Sequence, residues 1–331
     1  RAIREGGRNM QTLILALPRS SGLKDEDITL SKSEIMALSK LVNKSGDPIK
    51  GEMVYRKLEL GCVSCHAIGG AGGKVGPDLT SIGASAPLDY LVESIYYPNR
   101  KIKEGYHSVV IETKNNQVLF GMLENQSENE IFLRDVANQR STVLKRNIRK
   151  QTQGKSLMPS GLIDRLAKQD QIDLFAFLSR LGKKGDFDAS KGNVARVWRL
   201  RAANHRDQQF DDNRIADGGI NHKRWTKVNS LVDGTLTDKM LKQGANAGRW
   251  VGVIGVYAGA EFEVAKAGKV SLIVQGGESA KLWIDGKVVD NSKHITSELS
   301  SGKHSIVLRF DPKDLPSKVK VSASTGTFLV D

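Results

Sequence analysis

Hydrophobic positions change period several times along this chain, and the changes divide it. Ile35, Leu38, Leu41 and Val42 recur at helical spacing behind Ser31-Lys32-Ser33-Glu34, a capping-box signature, and predict a helix ending near Gly46. Asp47-Pro48 is a second start signal, an acidic cap followed by proline at the first helical position, and Ile49, Met53, Val54 and Leu58 continue at helical spacing. From Tyr106 the pattern becomes that of strands. Residues 106–113, 117–125, 130–135 and 142–144 are rich in β-formers and are parted by Lys114-Asn115-Asn116, Gln126-Ser127 and Ala137-Asn138-Gln139, which predicts a small, strongly bent β-barrel. Helical spacing returns between Leu162 and Leu181, where Ile163, Leu166, Leu174, Phe177, Leu178 and Leu181 can share a buried face. After a linker that includes Gly182-Lys183-Lys184-Gly185-Asp186, residues 250–257, 261–264, 269–275, 280–284 and 305–310 are strand-like. Asp285-Gly286 signals a two-residue hairpin, and an antiparallel β-sandwich is expected.

Candidate chemistry is concentrated at one place. The only two cysteines of the 331 residues stand in Cys62-Val63-Ser64-Cys65-His66. Two thiols on one turn can bond to the two vinyl groups of a haem while the adjacent imidazole faces the iron. A structural zinc site would need four ligands, and no second cysteine pair or closely spaced histidine pair is present. A redox-active C-x-x-C is usually set in a βαβ pattern, which residues 40–100 lack. The glycine-rich stretch from Gly69 to Gly73 would let backbone pass close to a flat cofactor. A sixth ligand must come from Met10, Met36, Met53, Met122, Met158 or Met240, with His107, His205, His222, His294 and His304 as rivals. Met158 is preferred, because Ser156-Leu157-Met158-Pro159 is an irregular stretch leading into the last helical pattern.

Several runs carry a family resemblance. Gly51-Glu52-Met53-Val54-Tyr55, the cysteine motif, Gly76-Pro77-Asp78-Leu79-Thr80, Tyr90-Leu91-Val92-Glu93-Ser94-Ile95, Pro98-Asn99, Gly105-Tyr106 and residues 156–162 resemble a haem-binding domain family of planctomycetes and verrucomicrobia, over about residues 45–182. That family looks like a class I cytochrome c with sequence inserted before its methionine loop. The resemblance implies covalent haem c on Cys62 and Cys65, His66 as proximal and Met158 as distal iron ligand, and the Pro77 carbonyl accepting the other ring N–H of His66. Ala167 stands where a Ser or Thr cap is expected before the last helix. Further on, residues 268–272, 282–286 and 301–304 resemble protective-antigen-type sandwiches, many of which bind carbohydrate. The expected fold is therefore multidomain α + β: an N-terminal helical extension over 1–45, and a class I cytochrome c-like α domain over 46–182 with an inserted small β domain at about 103–150. A linker over 183–193 and a β-sandwich over 194–331 complete it.

Charge and the remaining motifs refine the picture. A net charge of +13 predicts docking to acidic partners, either a redox protein or an acidic polysaccharide. Arg140, Lys145, Arg146, Arg149, Lys150 and Lys155 form a basic run, but without interleaved aromatic residues it reads as a solvated face, which disfavours nucleic acid. Trp198, Trp225, Trp250 and Trp283 are candidates for a sugar-stacking platform or for sandwich core, and Asp211-Asp212-Asn213 for a calcium site that lacks a recognisable loop. Thr12 to Leu17 is too short an apolar run to span a bilayer or complete a signal segment, and the start at Arg1 predicts a processed product or the C-terminal piece of a longer polypeptide. No nucleophile–base constellation or phosphate-binding loop supports a hydrolase or kinase. The expected function is that of a mono-haem c-type cytochrome, an electron-transfer protein located in the periplasm or otherwise outside the cytoplasm. Its alternatives are a haem with an open sixth site, for gas sensing or peroxide reduction, and a carbohydrate-binding adhesion protein with an accessory haem domain.

Overall fold

Ser31 closes the capping box read in the sequence. Its hydroxyl accepts the Glu34 N–H at 3.3 Å and the Glu34 carboxylate accepts the Ser31 N–H at 2.7 Å, which opens α1 (Lys32–Ser45). The computed structural model describes residues 30–190, 192–204, 212–217, 219–245, 252–290 and 293–330. These fall into two units, Arg1–Phe187 and Asp188–Asp331. No helix among the described residues is long and apolar enough to cross a membrane.

In the first unit, the Asp47 carboxylate caps α2 (Pro48–Tyr55) by accepting the Ile49 and Lys50 N–H groups. Leu58 does not extend that helix. Lys57 is extended, and Leu58 opens a short 3-10 turn with 94% of its surface exposed. Next come α3 (Cys62–Cys65), the short hairpin β1 (Ala67–Ile68) and β2 (Ala71–Gly72), α4 (Ile82–Ser85) and α5 (Leu88–Tyr96). Strands β3 (His107–Thr113), β4 (Val118–Gln126), β5 (Glu130–Arg134), β6 (Arg140–Leu144) and β7 (Ile148–Ser156) form one antiparallel sheet in the order β6-β5-β4-β3-β7, around Val109, Ile111, Ile131, Leu133 and Val143. Helix α6 (Lys168–Arg180) follows. It begins later than its apolar spacing suggests, at an Ala167 that makes no side-chain cap. Leu174, Phe175, Phe177 and Leu178 of α6 are buried, and α1, α2, α4 and α5 all pack on this helix.

The expected fold class is overturned here. The described chain is mostly β, with 37% strand against 25% helix in four sheets, and no cytochrome-like helical domain is evident. The helices between Pro48 and Tyr96 are short because glycine-rich turns and prolines interrupt that stretch. The β-formers after residue 106 commit a continuous segment to sheet instead. That segment is not a closed barrel either, since no pairing joins β6 to β7 among the described strands.

In the second unit two sheets enclose one apolar core. Its elements are β8 (Val197–Asn204), α7 (Asp212–Asp217), β9 (Thr226–Asn229), β10 (Leu236–Thr237), α8 (Asp238–Gly244), β11 (Val253–Val264), β12 (Gly268–Gln275), β13 (Lys281–Ile284), β14 (Lys287–Val289), β15 (His294–Leu299), β16 (Gly302–Phe310), β17 (Lys318–Ala323) and β18 (Thr327–Phe328). One sheet runs β10-β17-β12-β15. The other runs β14-β13-β16-β11-β8-β9, with β18 also on β11. Alternating residues such as Leu272 and Val274, Val256 and Ala258, Ile306 and Leu308, and Val319 and Val321 are buried between them. The hairpin expected at Asp285-Gly286 is formed, both residues having positive φ (48° and 72°) as a two-residue turn of this hand requires.

That turn is locked by a buried histidine. His304 Nδ1 lies 2.6 Å from the Asp285 carboxylate and Nε2 lies 2.9 Å from the Ser300 carbonyl, so both ring nitrogens face acceptors. Burial pulls its pKa down, but the two acceptors outweigh burial and raise it above the ordinary 6.5. The stability this gives is present in full below the unfolded value and is lost as pH rises through the raised folded value. His304→Ala is expected to cost about 1–2 kcal/mol at acid pH, with the difference from wild type shrinking as pH rises. Urea unfolding of both proteins across the range checks this, and a gap that widens with pH would contradict the charged imidazole.

Candidate functional site

The site is built where the chain turns into α3. Gly61 adopts φ 66°, a left-handed conformation, and joins the 3-10 turn to the four residues Cys62–Cys65. The His66 N–H donates to the Cys62 carbonyl at 2.8 Å, and His66 itself is extended, so the chain leaves the helix at this residue. Both thiols therefore lie on one turn directly before the imidazole, and Cys62, Cys65 and His66 are all half-buried. A folded-back loop fixes this turn: Gly73 N–H donates to Val63 O at 2.9 Å and Gly76 N–H to Cys65 O at 2.7 Å. Two glycines allow the approach. A Cβ on Gly73 would stand 1.8 Å from the Ser64 carbonyl oxygen, and one on Gly76 would stand 2.4 Å from His66 Cε1.

That loop sets the chemistry of His66. Nδ1 lies 2.7 Å from the Pro77 carbonyl oxygen. A carbonyl can only accept, so Nδ1 carries the proton and Nε2 is left with its lone pair for a ligand. From the other side, the Tyr55 hydroxyl at the end of α2 donates to the His66 carbonyl at 3.2 Å. Burial lowers the pKa of His66, opposed by its bond to Pro77, and the ring is held neutral. Burial also pushes the Cys62 thiol up to about 12 and raises Cys65, the opposite of what an active redox dithiol needs. The two cysteines are not joined to each other in a disulfide.

Met158 lies, half-buried, in the loop between β7 and α6, with its N–H on the Ser156 hydroxyl at 3.1 Å. Both ends of the loop are fixed. Asn99 accepts the Ser156 N–H at 3.0 Å. Beyond the methionine, buried Gln171 of α6 donates to the Ile163 and Leu166 carbonyls at 3.0 and 3.2 Å and accepts from the Tyr96 hydroxyl at 2.7 Å. The roles of Tyr55 and Gln171 carry no sequence signal, since each depends on a partner brought near by folding.

The other candidates are dispersed. Met10, His205, Asp211 and Trp250 lie outside the described residues. Met36 and Met53 are exposed, Met122 is buried in β4, and Met240 packs on the core of the second unit. His107 is in β3, His294 in β15, and His304 is the turn lock. Trp198, Trp225 and Trp283 are buried, so these three rings are core and not an exposed stacking platform. Asp212 accepts from Tyr257 and faces Arg309 and Lys281, while Asn213 accepts the Trp283 indole N–H at 2.9 Å. These two residues dock α7 rather than hold calcium.

The expectation of metal binding is corrected as well, for an ion held by side chains alone. Among the described residues no group of three or more His, Cys, Asp or Glu side chains could hold a metal ion. The comparisons with known proteins add no cytochrome. No protein-family model matches the chain, and no curated protein does. Solved structures with some likeness include glycoside hydrolases. An exo-chitosanase from Amycolatopsis orientalis is 15% identical, with TM-score 0.28 over 40% of this chain and 21% of the enzyme. A β-glucuronidase from an uncultured Clostridium sp. is 10% identical, with TM-score 0.27 over 40% of this chain and 28% of that one. A GH31 α-xylosidase from Xanthomonas citri is 16% identical, with TM-score 0.18 over 41% of this chain and 16% of that one. The chain spans about a fifth of the length of the exo-chitosanase, and likeness of this extent carries no argument about chemistry.

Proposed function

We propose that Cys62 and Cys65 would hold one haem c through thioether bonds, that His66 Nε2 would bind its iron, and that the protein transfers electrons. The observation that carries this reading is the 2.7 Å approach of His66 Nδ1 to the Pro77 carbonyl, with both thiols on the turn before it. The donor set fits such a group, because both thiols and the imidazole are only half-buried and Gly73 and Gly76 let the backbone loop approach Ser64 and the His66 ring closely. When bound, haem supplies a reversible one-electron change. Pro77 orients the imidazole and keeps its proton on Nδ1, Tyr55 holds the His66 backbone, and Gln171 holds the end of the loop carrying Met158, which would be the second side chain to hold the group. The net charge of +13 supports docking to an acidic redox partner, and haem attachment of this kind supports a periplasmic or other extracytoplasmic location.

Met158→Ala tests the ligand set. Wild type is expected to give a low-spin spectrum that does not respond to carbon monoxide, and the variant a high-spin spectrum that does. An unchanged spectrum in the variant removes Met158 from the site. A wild type that already binds carbon monoxide would favour the open-site reading, of gas sensing or peroxide reduction, over electron transfer.

A further inference from the structure

Seven large apolar side chains are exposed among the described residues, and five of them, Met36, Leu41, Ile49, Met53 and Leu58, fall within one stretch of the first unit. We propose that this stretch, α1 with α2 and the turn that follows, docks on the surface of a bilayer containing anionic lipid. This inference does not depend on the haem reading.

Apolar residues exposed singly need no explanation, but these are grouped and they protrude. Ile49 and Met53 stand one turn apart on α2, on the face turned away from buried Gly51, Val54 and Tyr55. Ile49 is 70% exposed, and Leu58, on the 3-10 turn beyond the helix, is 94% exposed. On α1, Lys32, Met36, Lys40 and Lys44 follow one another at four-residue spacing and form a ridge turned away from buried Ile35, Leu38 and Val42. Both helices bury their other faces on α6, which holds the frame in place. None of the three lysines of the ridge is in an ion pair among the described residues, whereas Lys50 faces Asp47 at 3.7 Å and Lys57 meets Asp170 at 2.7 Å. Against them, residues 32–59 expose two carboxylates: Glu34, which holds the Ser31 N–H in the capping box, and Glu59 beside Leu58.

The side chains present select lipid over protein. Residues 32–59 expose no aromatic ring and no guanidinium, the groups that anchor protein contacts, and they are rich in lysine, which such contacts disfavour. Aliphatic side chains and methionines raised on helix and turn can enter the acyl boundary of a bilayer. Lysines on the neighbouring ridge can lay their methylene stems along it and keep their ammonium groups among the phosphates. Each such lysine adds attraction to an anionic surface, and a net charge of +13 draws the chain toward it from further off. The same charge repels a second copy of this chain.

Co-sedimentation of the full chain with vesicles of phosphatidylglycerol and phosphatidylcholine in equal parts, at about 50 mM salt so that charge is only partly screened, tests the assignment. Wild type is expected to bind these vesicles, and to bind vesicles of phosphatidylcholine alone at least about tenfold more weakly. Leu58→Ser and Lys40→Glu, both at exposed positions, are each expected to weaken binding to the mixed vesicles about tenfold, while Val288→Ser and Lys266→Glu, at exposed positions of the second unit, leave it unchanged. Absence of binding would overturn the proposal. So would equal weakening by Lys266→Glu, which shows diffuse attraction to a basic chain, or binding indifferent to Leu58→Ser, which shows charge without insertion. A dimer in size-exclusion chromatography that Leu58→Ser dissociates would assign the face to a second copy. Binding of polyglutamate tighter than that of the vesicles, and weakened by Leu58→Ser, would assign it to an acidic protein, and either result overturns the bilayer. Circular dichroism of each variant separates loss of the surface from loss of the fold.

Discussion

Replacing Cys62 and Cys65 together by alanine is expected to abolish all covalently retained haem, when wild type and variant are made in the periplasm of a host that attaches c-type haem. Each single replacement should leave one thioether and an intermediate retention. The expected effect is all-or-none for the pair because the only two cysteines of the chain are the ones replaced. It is also specific. The turn holding them is fixed by backbone bonds from Gly73, Gly76 and His66, none of which involves a thiol, so the variant keeps its fold and loses only the attachment. Acid-acetone extraction and the mass of the intact protein read the outcome. A wild-type mass with no haem added, from a host proven to load a control protein, would sink the proposed function. The half-buried and proton-holding thiols would then have to be ascribed to packing alone.

How far the sequence led depended on whether a feature was local. Ser31 with Glu34, Asp47 with Pro48, and Asp285 with Gly286 each act within a few residues, and all three are formed. The apolar strands 107–113 and 130–134 were visible for the same reason. Strand β7 was not. Its residues Arg149, Lys150, Gln151 and Lys155 are polar because it lies at a sheet edge with most side chains in solvent, and it read as a basic run. The class of the fold was misjudged because short helices with clear caps announce themselves strongly, while β8, β9, β15 and β17 are defined by partners distant in sequence. At the site, the cysteine motif was legible, but a cavity in the second unit was visible only as the run His222-Lys223-Arg224-Trp225. Arg201 and Arg214 join that run through folding alone.

A methyl group added at Gly51 is expected to be among the most damaging single changes in the first unit. Gly51 lies where α2 crosses α6, and a Cβ there would stand 1.9 Å from the Asp173 carbonyl oxygen and 2.7 Å from the Phe177 Cβ. The atom in the way is helix backbone, which cannot rotate aside as a side chain does. Alanine gains up to about 1 kcal/mol over glycine in helix propensity, but overpacking costs roughly 1–3 kcal/mol and more where nothing yields. A net loss of about 2 kcal/mol is therefore expected in urea unfolding. The consequence reaches the site, since α2 ends in Tyr55, whose ring contacts Phe177 at 5.4 Å and whose hydroxyl holds the His66 carbonyl. Separating the helices draws that hydroxyl away, so Gly51→Ala should loosen the His66 backbone, read as faster amide exchange around residues 65–67. Tyr55→Phe, which keeps the ring contact and removes only the hydroxyl, should reproduce that exchange without most of the stability loss. A Gly51→Ala protein as stable as wild type would show that the two helices do not meet through backbone, and would detach the helix pair from the positioning of His66.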